Sequence, residues 1–75
     1  MTLTKFHQKL SYLDYLVRAG KSGTADELAV KLKISRSTLF SYLSELRDME
    51  ITIDFNRYRR TYEYTGDKTI VELFN

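Results

Sequence analysis

Arg57, Arg59 and Arg60 place three guanidinium groups within four residues, with Tyr58 among them and no acidic residue between Asp54 and Glu63. Guanidinium groups at that density on a turn suit contact with phosphates or entry into a narrow minor groove. A solvated turn that blocks edge-to-edge strand pairing would use the same charges. A second set runs from Ser35 through Arg36, Ser37 and Thr38 to Phe40 and Ser41. It gathers hydroxyls, one cation and one aromatic ring in about two helical turns. Such groups can bond phosphates and base edges and touch a thymine methyl. Each also has a plainer role: Ser35 as a helix N-cap, Arg36, Ser37 and Ser41 as surface. Phe40 reads equally as a base contact, a protein contact or a ring tucked under the neighbouring segment.

The remaining reactive types do not assemble into a site. His7 is the single histidine and there are no cysteines, so neither a zinc set nor an iron–sulfur set is expected. Asp26, Glu27, Glu45, Asp48 and Glu50 read as capping and surface charges. No glycine-rich phosphate loop or nucleophile motif is present. The expectation is a protein that is not an enzyme and needs no cofactor or metal.

The elements that must position the two sets follow from periodicity. Phe6, Leu10, Leu13 and Val17 recur at helical spacing, flanked by Leu3 and Leu16, and predict a helix over about 4–19. Gly20 suits its left-handed end, and Tyr12 and Tyr15 fall on its polar side. Thr24-Ala25-Asp26-Glu27 is a capping box that opens a second helix over about 24–33, with Leu28, Ala29 and Leu32 inward. Ser35 caps a third helix over about 35–49, whose inward stripe is Leu39, Leu43 and Leu46. This leaves Arg36, Ser37, Phe40, Ser41, Ser44 and Arg47 outward.

The period then changes to two. Ile51, Ile53 and Phe55 alternate with polar residues, as do Tyr62 and Tyr64, so a hairpin is expected over about 51–65. Pairing Ile53 with Tyr62 and Ile51 with Tyr64 puts all four on one face, with a four-residue loop from Asn56 to Arg59. The apolar tail within 67–75, Ile70 to Phe74, reads as strand or as a helical turn or two, closing the core or covering a partner.

Composition bounds the class. The chain has 75 residues, 43% of them apolar with six Tyr and four Phe, enough for one compact core. No apolar run reaches the roughly 18 residues of a membrane span, and Met1 is followed by no signal-peptide pattern. Lack of cysteine suits a reducing compartment, so a cytoplasmic location is expected. Net charge is +2 and the isoelectric point is near 9.0. That permits nucleic-acid binding without demanding it. Residues 1–23 carry Lys5, Lys9, Arg18 and Lys21 against Asp14, whereas residues 24–49 balance four basic against four acidic side chains.

The stretch GTADELAVKLKISRSTLFSYLSELRDM followed by ITIDFNRYRRTYEYT resembles the winged helix-turn-helix at the N-terminus of WYL-domain regulators. It is also similar to biotin-repressor-type and DeoR-type DNA-binding domains. The resemblance covers roughly residues 5–65. Its more specific parts are Ser35-x-x-Thr38-Leu39, Leu43-x-x-Leu46 and the strand–basic turn–Tyr-x-Tyr segment. It implies a mainly helical fold with a small β-hairpin and sequence-specific binding to double-stranded DNA by a prokaryotic transcription regulator. Arg36, Ser37, Phe40 and Ser41 would stand at base-reading positions. Lys33 occupies a turn position where the family usually has glycine, which implies a left-handed lysine at a cost of about 1 kcal/mol.

The expectation is therefore a single domain over 1–75. It places its third helix in the major groove and its hairpin, the wing, on the backbone or minor groove. A DNA binder should show Arg36, Arg57, Arg59 and Arg60 on one basic face without acidic interruption. The rival is a winged helix that binds a protein partner through Phe40, Tyr42 and outer tyrosines. The family's regulatory domain has no counterpart after Thr65. A homodimer reading two half-sites would thus pair through Tyr12 and Tyr15 or through the Ile70–Phe74 tail.

Overall fold

The second and third helices begin where a side chain satisfies free backbone amides. In the computed structural model, which describes the backbone of residues 2–74 and the side chains of residues 7–73, α1 spans Thr2–Ala19, α2 Ala25–Leu32 and α3 Arg36–Asp48. Thr24 caps α2: its hydroxyl accepts from the Glu27 amide, while the Glu27 carboxylate accepts from the Thr24 amide at 2.8 Å. Gly23 has φ +72°, and a Cβ there would strike the Glu27 carboxylate, so this box requires glycine before it. Ser35 caps α3 through the Thr38 amide at 3.0 Å.

All three helices end in the same way. Gly20, Lys33 and Glu50 adopt left-handed backbone at φ 69°, 59° and 66°. After each, the next amide donates five residues back: Lys21 to Leu16, Ile34 to Ala29 and Ile51 to Leu46. These are Schellman ends, which turn the chain sharply while satisfying carbonyls of the last helical turn. The lysine expected at a left-handed position is there; Glu50 doing the same was not foreseen.

The core takes Leu10, Leu13, Leu16 and Val17 from α1, Leu28, Ala29 and Leu32 from α2, and Leu39 and Leu46 from α3. Leu43, expected in the buried stripe, is only half-buried against its edge. The side chains of Leu3, Phe6 and Phe74 lie outside the described residues. Tyr12 and Tyr15 lie on the outer side of α1 with their rings stacked, 6.4 Å between centroids. No helix among the described residues is long and apolar enough to cross a membrane.

Strands β1 (Ile53–Asn56) and β2 (Thr61–Tyr64) form an antiparallel hairpin. The register differs from the expected one by two positions: Ile53 faces Tyr64, Phe55 faces Tyr62 and Asn56 faces Thr61. The loop is four residues long as expected, but runs from Arg57 to Arg60. A slip of two keeps every side chain on its own face, so hydrophobic alternation cannot choose between these registers. The Asn56 side chain chooses: its Oδ1 accepts from the amides of Tyr58 at 2.9 Å and Arg59 at 3.1 Å. Arg60 then turns left-handed at φ 58° and donates to the Asn56 carbonyl at 2.7 Å. Ile51 is buried but precedes the paired strand, and Phe55 is partly exposed with its ring edge-on to Tyr62 at 5.2 Å.

Two buried polar nodes fasten the hairpin and tail to the helices. Ser22, between α1 and α2, is fully buried. Its amide donates to Thr61 Oγ1 at 3.2 Å, its Oγ lies 2.9 Å from that hydroxyl, and the Tyr62 amide donates to Oγ at 2.7 Å. With Thr61 as the hydroxyl donor, Ser22 Oγ–H reaches the Gly23 carbonyl, and both hydroxyls are satisfied. At the second node Tyr64 OH donates to Asp14 at 2.6 Å and accepts from the Ile70 amide at 3.1 Å. Asp14 also accepts from Arg18 at 3.0 Å. The tail resolves as a 3-10 helix, Ile70–Phe74, rather than a strand. Ile70 is fully buried, while Val71 and Leu73 remain partly exposed, so its first residue closes the core.

Two stability outcomes follow. Ser22→Ala leaves the Tyr62 amide and the proton of the Thr61 hydroxyl without their buried acceptor. It should lower unfolding free energy by about 1–3 kcal/mol in urea titration. Burial first, and then the hydrogen bond to Asp14, push the Tyr64 phenol far above its ordinary range. Tyr62 is raised in the same direction by burial. Folded tyrosines that hold their protons more tightly than unfolded ones contribute stability below an unfolded pKa of about 10. That contribution is lost as pH rises toward the folded value. The denaturant midpoint should thus fall above about pH 10, and less steeply in Tyr64→Phe.

Candidate nucleic-acid interface

The outward face of α3 is built as its periodicity requires. Arg36, Ser37, Phe40, Ser41, Ser44 and Arg47 are all exposed, and their spacing puts them on one side. Ser35 and Thr38 are less free: the Ser35 hydroxyl donates to Thr38 Oγ1 at 2.9 Å while accepting from the Thr38 amide. Both belong to the cap, and Thr38 is half-buried. The helix carries Arg36 and Arg47 against Glu45 and Asp48, so it contributes hydroxyls and an aromatic ring but no net charge.

Positive charge comes from the hairpin loop. Arg57, Tyr58, Arg59 and Arg60 are all exposed, Tyr58 at 99%. The loop is nonetheless ordered from beneath. Glu63 accepts from Asn56 Nδ2 at 3.0 Å and pairs with Arg59 at 3.4 Å, which fixes the amide orientation that Tyr58 and Arg59 rely on. Among the described residues neither Arg57 nor Arg60 is in an ion pair. Arg47 pairs with Asp54 at 2.9 Å, joining the last turn of α3 to β1.

Charges of both sets act on neighbouring elements. Arg36 lies close enough to Tyr62 for its charge to oppose the upward push of burial on that phenol. The Glu27 carboxyl is held low first by the Thr24 amide and hydroxyl, then by the charge of Lys31 and, least, by that of Arg60. The same neighbours place acids on the face. Arg36 Nη1 is 3.5 Å from Asp26, and Glu27 sits by Arg60, so the basic face is interrupted. The Arg36–Asp26 pair is mostly exposed, at 61% and 75%. Such pairs are worth about 0–1 kcal/mol and exchange readily with a competing anion. The Arg36 guanidinium also lies over the Phe40 ring, 5.5 Å from its centroid.

Sequence reasoning missed Asp26 as a neighbour of Arg36 and Asn56 as the organiser of the loop. An asparagine immediately before a charged loop is a readable signal for a side chain that caps its own turn. Nothing local marks the approach of Asp26 to Arg36, which depends on how α2 and α3 cross. No protein-family model, curated protein or solved structure matches this chain.

Lys33 sets the direction in which α3 leaves α2, and it does so against its own backbone preference. Lys33→Gly should raise unfolding free energy by up to about 1 kcal/mol in urea titration. The dispersion of amide resonances from α3 should stay unchanged.

Proposed function

We propose that this chain is a winged helix-turn-helix DNA-binding protein, acting in the cytoplasm as a transcription regulator of the prokaryotic kind. On this reading α2 and α3 form the helix-turn-helix, α3 enters the major groove, and the β1–β2 hairpin is the wing. One observation carries the proposal: an ordered loop bearing three exposed arginines closes a hairpin whose first strand is tied to the last turn of α3 by the Arg47–Asp54 pair. Order matters because a loop already held by Asn56 and Glu63 has less freedom to lose on meeting a phosphate. The neutral, hydroxyl-rich helix face suits close approach to base edges, with the wing supplying attraction to the backbone. The resemblance to WYL-domain, DeoR-type and biotin-repressor-type domains points the same way.

A second reading has its own support. The neutral charge of α3, the acids at the start of α2 and the exposed Phe40 also suit a winged helix that docks on a protein. Pairing of two copies to read two half-sites is supported by the stacked, exposed Tyr12 and Tyr15 and by the exposed Val71 and Leu73.

Titration of duplex DNA at several salt concentrations separates the two readings. The wild-type chain should bind with log K falling linearly against log salt. Arg57→Ala/Arg59→Ala/Arg60→Ala should flatten that slope by roughly 0.9 for each phosphate that the variant no longer neutralises. Absence of duplex binding at low salt would favour the protein partner. An unchanged slope in a folded triple variant would remove the wing from the mechanism.

A further inference from the structure

We propose that Asp26, Arg36 and Phe40 form one reading unit for a guanine whose neighbouring base pair carries a pyrimidine 5-methyl group, the methyl of thymine or of 5-methylcytosine. The inference rests on the DNA-binding reading above and names what its recognition helix selects.

Arg36 is the only cation in the first three turns of α3. A guanidinium offers five donors in a planar fork that matches the O6 and N7 acceptors of guanine in the major groove. A free arginine samples many rotamers, so its selectivity depends on what holds the plane. Here two neighbours bias it. Asp26 approaches Nη1 at 3.5 Å from the first turn of α2. Phe40, one helical turn along α3, lies beneath the guanidinium at 5.5 Å from ring centroid to Cζ. The Arg36 side chain is still 61% exposed, which leaves part of the fork open. Asp26 thus acts as a positioning residue: its charge draws one end of the fork at ion-pair distance and leaves the donors for a base.

Phe40 does a second thing. It is 44% exposed and lies on the same outward face, with the guanidinium over one side of its ring and the rest open. Successive base pairs are stacked about 3.4 Å apart. A fork lying over a ring on one helix face would therefore meet neighbouring pairs, each group at the level of one pair. An aromatic edge in the major groove has one apolar feature to touch, the 5-methyl of a pyrimidine. Unmethylated cytosine offers hydrogen at that position and fills the space less well.

Asp26 makes the proposal separable from a structural role. Its carboxylate repels phosphates, so Asp26→Asn should raise retention of arbitrary duplex. Loss of its hold on Arg36 should at the same time weaken the preference for guanine. A purely structural residue would move both in one direction.

The test uses the full chain and a library of randomised duplexes, prepared once with cytosine and once with 5-methylcytosine, with retained sequences counted. Wild type should enrich guanine beside thymine, and 5-methylcytosine should substitute for the thymine. Arg36→Ala should lose about tenfold or more of the guanine preference. Arg36→Lys should keep binding but lose most of that preference, because a point charge does not reproduce the fork. Phe40→Ala should keep guanine and lose the 5-methyl preference. Circular dichroism of each variant should match wild type, since all three side chains are exposed. Binding without guanine enrichment would overturn the inference and leave the DNA-binding reading standing. So would Asp26→Asn with an unchanged base preference. Failure of wild type to retain any duplex would overturn both.

Discussion

The buried hydroxyl of Ser22 is the point on which the rest of the structure depends. A hairpin of two four-residue strands is marginal in water unless something else holds it. Ser22 supplies that hold from the α1–α2 junction, across 39 residues to Thr61 and 40 to Tyr62. In a dry interior an unsatisfied hydroxyl is costly, and a satisfied one is strongly directional. Among the described residues no buried side-chain polar atom lacks a partner, so the node constrains orientation without a residual penalty. Removal of its geometry would leave Ile53 and Tyr62 free to pack on the helices in more than one way. The arginine loop would then lose its fixed place on the helices.

The repeated helix ending explains how so short a chain encloses its core. At Gly20, Lys33 and Glu50 a single left-handed residue reverses the path and lets the next segment begin at once. In the second and third cases the following residue is apolar: Ile34 packs on the edge of the core and Ile51 is buried within it. The turn and the hydrophobic contact support each other, which offsets the backbone strain in Lys33 and Glu50. The exit of α3 is tied down in this way at one end and by the Ser35 cap at the other. Its outward face is thus a rigid surface rather than a flexible one.

Legibility of the sequence followed the range of the interactions. Helix starts at Thr24 and Ser35 and the outward placing of Tyr12, Tyr15 and the loop arginines depend on neighbours within a few residues, and were readable. The hairpin register was not, because Ile53 keeps its face whether it meets Tyr62 or Tyr64, and only the Asn56 amide breaks the tie. The tail was undecided because Ile70 and Val71 favour extended backbone, whereas the Tyr64 hydroxyl captures the Ile70 amide and starts a tight turn. In the candidate site, exposure of Arg36, Phe40 and the loop was readable from period alone. The approach of Asp26 to Arg36, and the commitment of Thr38 to the Ser35 cap, depend on three-dimensional neighbours that spacing does not encode.

The placement of the tyrosines has an optical consequence. The chain has no tryptophan and six tyrosines, so its near-ultraviolet emission belongs to tyrosine alone. Tyr64 is half-buried with its hydroxyl bonded to Asp14, a carboxylate contact that quenches phenol emission, whereas Tyr58 stands in solvent at the loop tip. The molecule thus carries an internal lamp at the point of proposed contact with a polyanion, and a darker one, Tyr64, where the hairpin joins α1. Changes at the tip and changes in the fold would register in different tyrosines of one unlabelled protein.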